Sequence, residues 1–156
     1  MSIRQNALNG LVTTLQQVTV AGGYSYNLNA PNVVDQGIAT RSMRLENPNE
    51  VQVQIQEGLE RHQIQFASPM APRLATLELV CDCMVRDAHD EGQRQRLGRL
   101  LADINKRLGL DPTLGGAVNH AWVAQVDEPI YDAQMRVAWV KIRLAVDYDY
   151  TAGTTI

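Results

Sequence analysis

The chain opens with apolar residues spaced every three or four positions, as on one face of an α-helix. This apolar face consists of Ile3, Ala7, Leu8, Leu11, Val12, Leu15 and Val18. Gly22-Gly23 follow and predict where the helix stops. A short alternation then places Tyr24, Tyr26 and Leu28 on one side, which predicts a strand over residues 24–29.

Residues 31–50 show no apolar period and are rich in Pro, Asn, Gly and charge. A loop of about 20 residues is uncommon in a compact domain, and such loops are usually functional or mobile. Within it, the basic Arg41 and Arg44 lie beside the apolar Met43 and Leu45. Basic and apolar side chains together favour protein–protein contact over catalysis. These four residues are therefore the predicted subunit interface, and a plain surface loop is the alternative.

The middle of the chain alternates with a period of two, which predicts strands. The apolar positions of two short alternations are Val51, Val53 and Ile55, then His62, Ile64 and Phe66. A longer strand is predicted from Arg73 to Arg86, with polar residues on its other side. Its apolar side carries Ala75, Leu77, Leu79, Cys81, Cys83 and Val85.

A second helix is predicted after Asp90, which with Gln93 has the spacing of a capping box. Gly109 predicts its end, as a residue in the left-handed conformation. The apolar stripe of this helix is Leu97, Leu100, Leu101, Ile104 and Leu108. Two further strands, over residues 117–126 and 134–150, are joined around Asp127-Glu128-Pro129.

The predicted order is therefore α-β-β-β-β-α-β-β. It indicates an α+β fold in which two main helices pack against a single layer of mixed, mostly antiparallel sheet. With 156 residues, 45% apolar and 20% charged, the chain is predicted to be one globular domain over 1–156, with a long loop at about 31–50. No apolar run reaches the roughly 20 residues of a membrane helix. Two cysteines and the absence of a signal-peptide block predict synthesis in a cytoplasm.

The glycine-rich stretch Gly109 to Gly116 raises the question of a ligand loop. A phosphate-binding loop runs from a strand through glycines into a helix, so that helix amides meet the anion. Here the direction is reversed, from helix through glycines to strand, with the turn residues Asp111-Pro112 between. We interpret the stretch as a corner.

Other candidate chemistry is sparse. Cys81 and Cys83 share one strand face and lack the spacing of a zinc motif, so both are predicted to be core. His62 and His120 are predicted at the edge of the core. Three acidic residues surround one histidine in the cluster of Asp87, His89, Asp90 and Glu91. Carboxylates are stabilised at the N-terminus of a helix, so we interpret the cluster as the start of the second helix, with a metal or acid–base role as the alternative.

The second helix contains five basic residues. We interpret them as a solvent-exposed helix face and not as a nucleic-acid-binding groove. They are Arg94, Arg96, Arg99, Lys106 and Arg107. Asp103 lies four residues from Arg99 and Arg107, where it can pair with both. The net charge of −3 argues weakly against a dedicated nucleic-acid binder.

Several segments together resemble the tail terminator (tail completion) proteins of tailed bacteriophages, over nearly the whole chain. They are the opening helix with Gly22-Gly23-Tyr24, Leu100-Leu101-Ala102-Asp103-Ile104, Asp111-Pro-Thr-Leu-Gly-Gly116 and Ile142-Arg-Leu-Ala-Val-Asp-Tyr-Asp-Tyr150. The resemblance implies a ring, usually a hexamer, that caps the finished tail tube and presents a surface for head joining. Members of that family lack catalytic residues, so the expectation is a structural protein without enzymatic activity, cofactor or metal.

The partners implied are further copies of the chain, the tail tube protein, a head–tail connector or neck protein and, in contractile tails, the sheath. DNA would pass through the lumen without specific binding, and the location would be the tail–neck junction of the virion. Three alternatives stay open. The chain could be a neck or head-completion protein, a small metal-dependent enzyme built on the cluster around His89, or a DNA-binding accessory protein using Arg94, Arg96 and Arg99.

Overall fold

The structure is a computed structural model that describes residues 2–28, 32–35, 51–63, 73–86 and 92–150. Within these residues two α-helices and a 3-10 turn at Val20–Gly22 accompany six strands. The helices are α1 (Ile3–Gln16) and α2 (Gln93–Leu110). The strands are β1 (Val33–Asp35), β2 (Val51–Gln63), β3 (Arg73–Arg86), β4 (His120–Val126), β5 (Ile130–Asp132) and β6 (Val137–Tyr150).

The described strands form one sheet in the order β1-β2-β3-β6-β4, with β5 also paired to β6. Only β1 and β2 run parallel, and the other pairs are antiparallel. Helix α1 packs against β1 and β2, α2 packs against β3, β6 and β4, and the two helices touch each other. The predicted α+β fold with a mixed, mostly antiparallel sheet is therefore confirmed.

Helix α1 starts where Ser2 caps it, because the Ser2 hydroxyl accepts the Gln5 N–H at 3.1 Å. Most of the predicted apolar face is buried in the core, and Ile3 and Val12 are partly buried against it. The predicted end at Gly22-Gly23 is wrong, since the helix already stops at Gln16. A separate 3-10 turn follows it and ends at Gly23, whose φ of +89° favours glycine.

The strand predicted over residues 24–29 is wrong for the described part, residues 24–28. The Ser25 and Tyr26 N–H groups donate to the carboxylate of Asp103 on α2, at 2.9 and 3.0 Å to its Oδ2. The Leu28 N–H donates to the Val18 carbonyl at 2.8 Å, and Leu28 is fully buried. This backbone bonds to a helix side chain and a turn, so its alternating apolar pattern does not mark a strand.

Strand β2 corrects a second prediction, because the two short strands expected at Val51 and His62 are one strand as far as Gln63. Pairing with β3 shifts between Glu57 and Glu60, where β2 carries one residue more than its partner. Such a β-bulge moves the following side chains to the other face. The apolar period therefore changes from odd to even positions within one strand, and that change looks like a break in the sequence. Ile64 and Phe66 lie outside the described residues.

Strands β3 and β6 form the centre of the sheet and pair without interruption from Arg73↔Tyr150 to Arg86↔Val137. The predicted apolar face of β3 is fully buried at every position. The matching face of β6 is buried from Ala138 to Tyr148. Both predictions are confirmed, and the shared face lies under the helices in one core.

Helix α2 has the predicted stripe but different ends. The N-cap residue of α2 is Gly92, which makes no side-chain hydrogen bond, and Gln93 is the first helical residue. The predicted capping box of Asp90 and Gln93 is therefore wrong, and Asp90 itself lies outside the described residues. The Gln93 amide instead donates to the Asp132 carbonyl of β5 at 3.0 Å. Gly109 is inside the helix, which ends at Leu110.

The stretch after α2 is the predicted corner. Positive φ angles of +71° and +85° occur at Gly115 and Gly116, and the Asp111 carboxylate accepts the Gly115 N–H at 2.9 Å. Leu114 is buried and packs in the hydrophobic core, which attaches the corner to the rest of the fold. A Cβ on Gly10 of α1 would lie 2.8 Å from the Leu114 carbonyl oxygen, so the corner rests closely on that helix. The glycines thus serve chain reversal and packing.

Two short strands escape the sequence pattern. Strand β1, Val33–Asp35, lies inside the predicted 31–50 loop and pairs with β2. Strand β5, Ile130–Asp132, forms a hairpin with β6, closed by the Asp132 carboxylate, which accepts the N–H groups of Gln134 and Met135 at 3.0 Å each. The final strand therefore begins at Val137, and β4 begins at His120 after the corner.

Candidate functional site

Two sets of predicted site residues lie outside the described residues, so they remain predictions. The predicted interface consists of Arg41, Met43, Arg44 and Leu45. The alternative metal or acid–base cluster consists of Asp87, His89, Asp90 and Glu91. Among the residues that the structure does describe, no group of three or more His, Cys, Asp or Glu side chains is placed to hold a metal ion.

Cys81 and Cys83 behave as core side chains, as predicted. Both are fully buried on the helix-covered face of β3. Burial, helped by the neighbouring Asp82 charge, raises the pKa of Cys81 to about 12. Burial also raises the pKa of Cys83. Thiols that stay protonated are poor nucleophiles and poor metal ligands.

The buried thiols make the fold lose stability in alkaline solution. The folded pKa of Cys81, about 12, lies above its ordinary value of 9.0. The resulting stabilisation is present in full below pH 9 and is lost as the pH rises toward 12. We expect urea denaturation to show the free energy of unfolding falling by about 1.4 kcal/mol per pH unit more steeply in the wild type than in Cys81→Val. Equal slopes in that window would contradict this account of the site.

A polar cluster that sequence reasoning missed lies at the end of β2. The Glu60 carboxylate pairs with Arg4 of α1 at 3.1 Å and with His62 Nε2 at 3.3 Å, and it accepts the Tyr148 hydroxyl. His62 Nδ1 lies 2.7 Å from the Tyr150 hydroxyl. Burial, followed by the bond to Glu60, raises the pKa of Tyr148, so its hydroxyl stays protonated and donates. The cluster ties α1, β2 and β6 together.

The cluster exists because the bulge turns Glu60 and His62 toward the helix-covered face, and the only trace of it in the sequence is the change of apolar positions from odd to even along β2. His62, predicted at the edge of the core, is exposed in the structure and contacts the Tyr150 hydroxyl. His120 is also exposed, and its ring stacks on Trp122 with centroids 5.4 Å apart.

The sheet face away from the helices carries ion pairs. Arg143 of β6 bridges Glu78 at 3.1 Å and Asp127 at 3.2 Å, and Lys141 lies 3.8 Å from Asp82. The hydrogen bond from Arg143 lowers the pKa of Asp127, whereas burial raises the pKa of Asp82. Acids and bases alternate on this face, so it has no uniform field that would attract a polyanion.

The basic residues of α2 do not form one solvated face, which corrects the prediction for Arg96. Arg96 is 6% exposed, and its guanidinium lies over the Tyr26 ring at 5.5 Å. Arg94 and Arg99 are exposed, and Arg94 lies over Tyr131 of β5 at 5.9 Å. Because Arg96 is packed inside, these three arginines do not form a joint phosphate-binding surface.

The most distinctive surface is the side of the sheet formed by β4 and β5, which we call the β4–β5 edge. Of the eight large apolar side chains that are exposed in the described residues, five belong to it or to the turn that follows. They are Trp122, Val126, Ile130, Tyr131 and Met135. The register places Trp122 and Ile130 on the sheet face away from the helices, and Val126 and Tyr131 on the helix-covered face, so apolar side chains are exposed on both faces of this edge. Single exposed apolar residues are ordinary, but several along one sheet edge indicate an interaction surface.

Beside this edge an apolar groove, the α2–β4 groove, runs between helix and strand. Its walls are Leu101, Ala102, Ile104, Asn105, Val123, Val126 and Ile142. At the start of β4 the Ala121 N–H donates to the Pro112 carbonyl of the corner at 2.7 Å, so that part of the strand is covered. Because all of its lining side chains except Asn105 are apolar, the groove can receive an apolar side chain from another molecule.

Neither described helix is long and apolar enough to cross a membrane. No protein-family model matches the chain, and no curated protein sequence matches it. The surface features of the described residues that bear on function are the β4–β5 edge and the α2–β4 groove.

Proposed function

We propose that this chain is a structural virion protein that forms a ring at the end of a phage tail tube. In this role it ends tube polymerisation and provides the surface for head–tail joining, and the resembled family suggests six subunits. The observation that supports the proposal is the β4–β5 edge, which exposes apolar side chains on both sheet faces beside the apolar α2–β4 groove, because a protein that stays alone rarely leaves so much apolar surface at one sheet edge in water.

A sheet edge is a natural place for assembly. A strand at the edge of a sheet can pair with another chain or pack beside it. Proteins that avoid such pairing usually have charged residues or proline in their edge strands. Strand β4, from His120 to Val126, contains neither Lys, Arg, Asp, Glu nor Pro. Contacts that repeat from one subunit to the next make a closed ring when the rotation closes.

The net charge of −3 also suits a lumen through which DNA moves, because Lys and Arg linings would bind phosphates. The partners in this proposal are copies of the chain, the tail tube protein and a connector or neck protein. In a contractile tail the sheath protein joins them.

Light scattering and negative-stain imaging of the purified protein test the proposal, with the protein alone, with tail tubes and with connector rings. We expect a ring on the ends of the tubes, because the exposed edge is then covered by neighbouring copies. Connector rings serve as the control partner. A protein that binds connector rings and ignores tubes is a neck protein instead, and one that remains a monomer with both refutes the proposal.

A further inference from the structure

The polar cluster at the end of β2 contains a tyrosine whose hydroxyl group faces a base. The Tyr150 hydroxyl oxygen lies 2.7 Å from His62 Nδ1, which is the distance of a short hydrogen bond. The two residues belong to strands on opposite sides of β3. His62 is paired there with Ala75, and because alanine is small, the histidine side chain can reach across the middle strand to β6.

A carboxylate determines which nitrogen of the His62 ring carries the proton. Glu60 Oε2 lies 3.3 Å from His62 Nε2, and the Glu60 side chain is 8% exposed. A negative charge at this distance favours the neutral ring form with its proton on Nε2. In that form Nδ1 is an acceptor, so the Tyr150 hydroxyl donates its hydrogen bond to it. Carboxylate, imidazole and hydroxyl follow one another as in proteins that activate a hydroxyl group as a nucleophile.

The hydroxyl groups of two other tyrosines are bonded to groups that are less suited to proton transfer. The Tyr148 hydroxyl donates to the Glu60 carboxylate, and burial raises the pKa of Tyr148, so this hydroxyl keeps its proton. The Tyr26 hydroxyl donates to the Arg96 carbonyl oxygen, which does not take up a proton. Imidazole groups gain and lose protons near neutral pH, as a general base must. Of these three hydroxyls, only that of Tyr150 is hydrogen-bonded to an imidazole.

We infer that Tyr150 is an acceptor site for acyl groups, with His62 as the general base and Glu60 as the residue that positions the ring proton. The His62 side chain is 32% exposed and Tyr150 is only partly buried, so a small acyl donor can reach the hydroxyl oxygen. The inference goes beyond the proposed ring and does not depend on it.

The co-reactant is an activated acyl compound, whose carbonyl carbon carries a good leaving group. The Tyr150 oxygen attacks this carbon while the hydroxyl proton moves to His62 Nδ1. A bond between oxygen and the acyl carbon forms, and the bond to the leaving group breaks. His62 then transfers the proton to the leaving group, which restores the neutral imidazole and leaves an O-acyl tyrosine.

Acetylation by N-acetylimidazole tests the site, because this reagent transfers an acetyl group to tyrosine hydroxyls and mass spectrometry of peptides locates each modified residue. Tyr131, which is 41% exposed, is the internal reference. General bases contribute about 10²–10⁴-fold to the rate of a reaction, so we expect Tyr150 to be acetylated about 100-fold faster than Tyr131.

Three variants separate the action of the base from simple exposure. His62→Gln keeps a polar side chain that cannot take up the proton, and we expect it to slow the acetylation of Tyr150 about 100-fold while Tyr131 reacts as before. Glu60→Gln removes the charge that positions the ring proton and is expected to slow Tyr150 alone. His120→Gln is the matched control, because it makes the same change at an exposed histidine of β4, and both rates should equal those of the wild type.

Near-ultraviolet circular dichroism first establishes that each variant is folded. Acetylation of Tyr150 at no more than the rate of Tyr131 in the wild type would overturn the inference. An unchanged rate at Tyr150 in His62→Gln would overturn it as well. Neither result touches the proposed ring, because assembly on tail tubes is measured separately.

Discussion

Leu100→Ala is expected to lower the free energy of unfolding by about 2–5 kcal/mol, the range for large-to-small changes in a core. Leu100 lies at the centre of the α2 stripe and has no exposed surface. Truncation removes three buried carbons and leaves a cavity between α2 and the sheet, because the β3–β6 pair beneath cannot move toward the helix. Urea denaturation monitored by circular dichroism measures the loss.

Leu101→Ala is the matched control, one position further along the same helix. Sequence periodicity places Leu101 in the apolar stripe, but the structure leaves it partly buried, as a wall of the α2–β4 groove. Its truncation is therefore expected to lower the free energy of unfolding by about 1 kcal/mol, an ordinary value for a point mutation. Equal losses for the two leucines would show that α2 is rotated from the orientation described here.

Periodicity predicted the central elements well, because burial of a regular face dominates their energetics. The whole buried face of β3, from Ala75 to Val85, could be read from strict alternation. The same holds for β6 from Ala138 to Tyr148. In strands this long, the alternation of apolar and polar residues repeats often enough that only a strand explains it.

Elements that depend on contacts distant in sequence could not be predicted. The alternation at Tyr24, Tyr26 and Leu28 looks like a strand, yet this backbone is held by Asp103, 77 and 78 residues away along the chain. Strands β1 and β5 have three residues each, too few for a period to show. The bulge in β2 changes the apolar phase, and a sequence offers no means to distinguish that change from a new strand.

The candidate surface escaped sequence reasoning for a related reason. His120 to Val126 has the composition of an interior strand, and only the sheet order places it at an edge. Topology therefore decides which apolar residues form the core and which remain free for another chain.

Asp103→Ala is expected to be the most damaging change to a polar residue, with a loss of about 3 kcal/mol in the free energy of unfolding. Asp103 is 5% exposed, and its carboxylate accepts the N–H groups of Ser25 and Tyr26. Hydrogen bonds to a charged group contribute about 1.5–3 kcal/mol each, and two backbone donors would be left without an acceptor. Residues 25 and 26 would then lose their backbone hydrogen bonds to α2, whereas the Tyr26 hydroxyl would still donate to the Arg96 carbonyl and the Leu28 N–H to the Val18 carbonyl.

Two further variants separate this hydrogen-bonding role from a general effect of charge. Asp103→Asn keeps one acceptor oxygen, which can occupy the place of Oδ2 and hold both N–H groups, so its loss is expected to be intermediate. Asp149→Ala removes an exposed carboxylate from β6 and is expected to change stability by less than about 0.5 kcal/mol. Hydrogen exchange supplies the local measurement, because the amides of Ser25 and Tyr26 should lose protection in Asp103→Ala while the β3–β6 amides stay protected. If those two amides remain as protected as in the wild type, the Asp103 carboxylate is not what holds this segment to the helix.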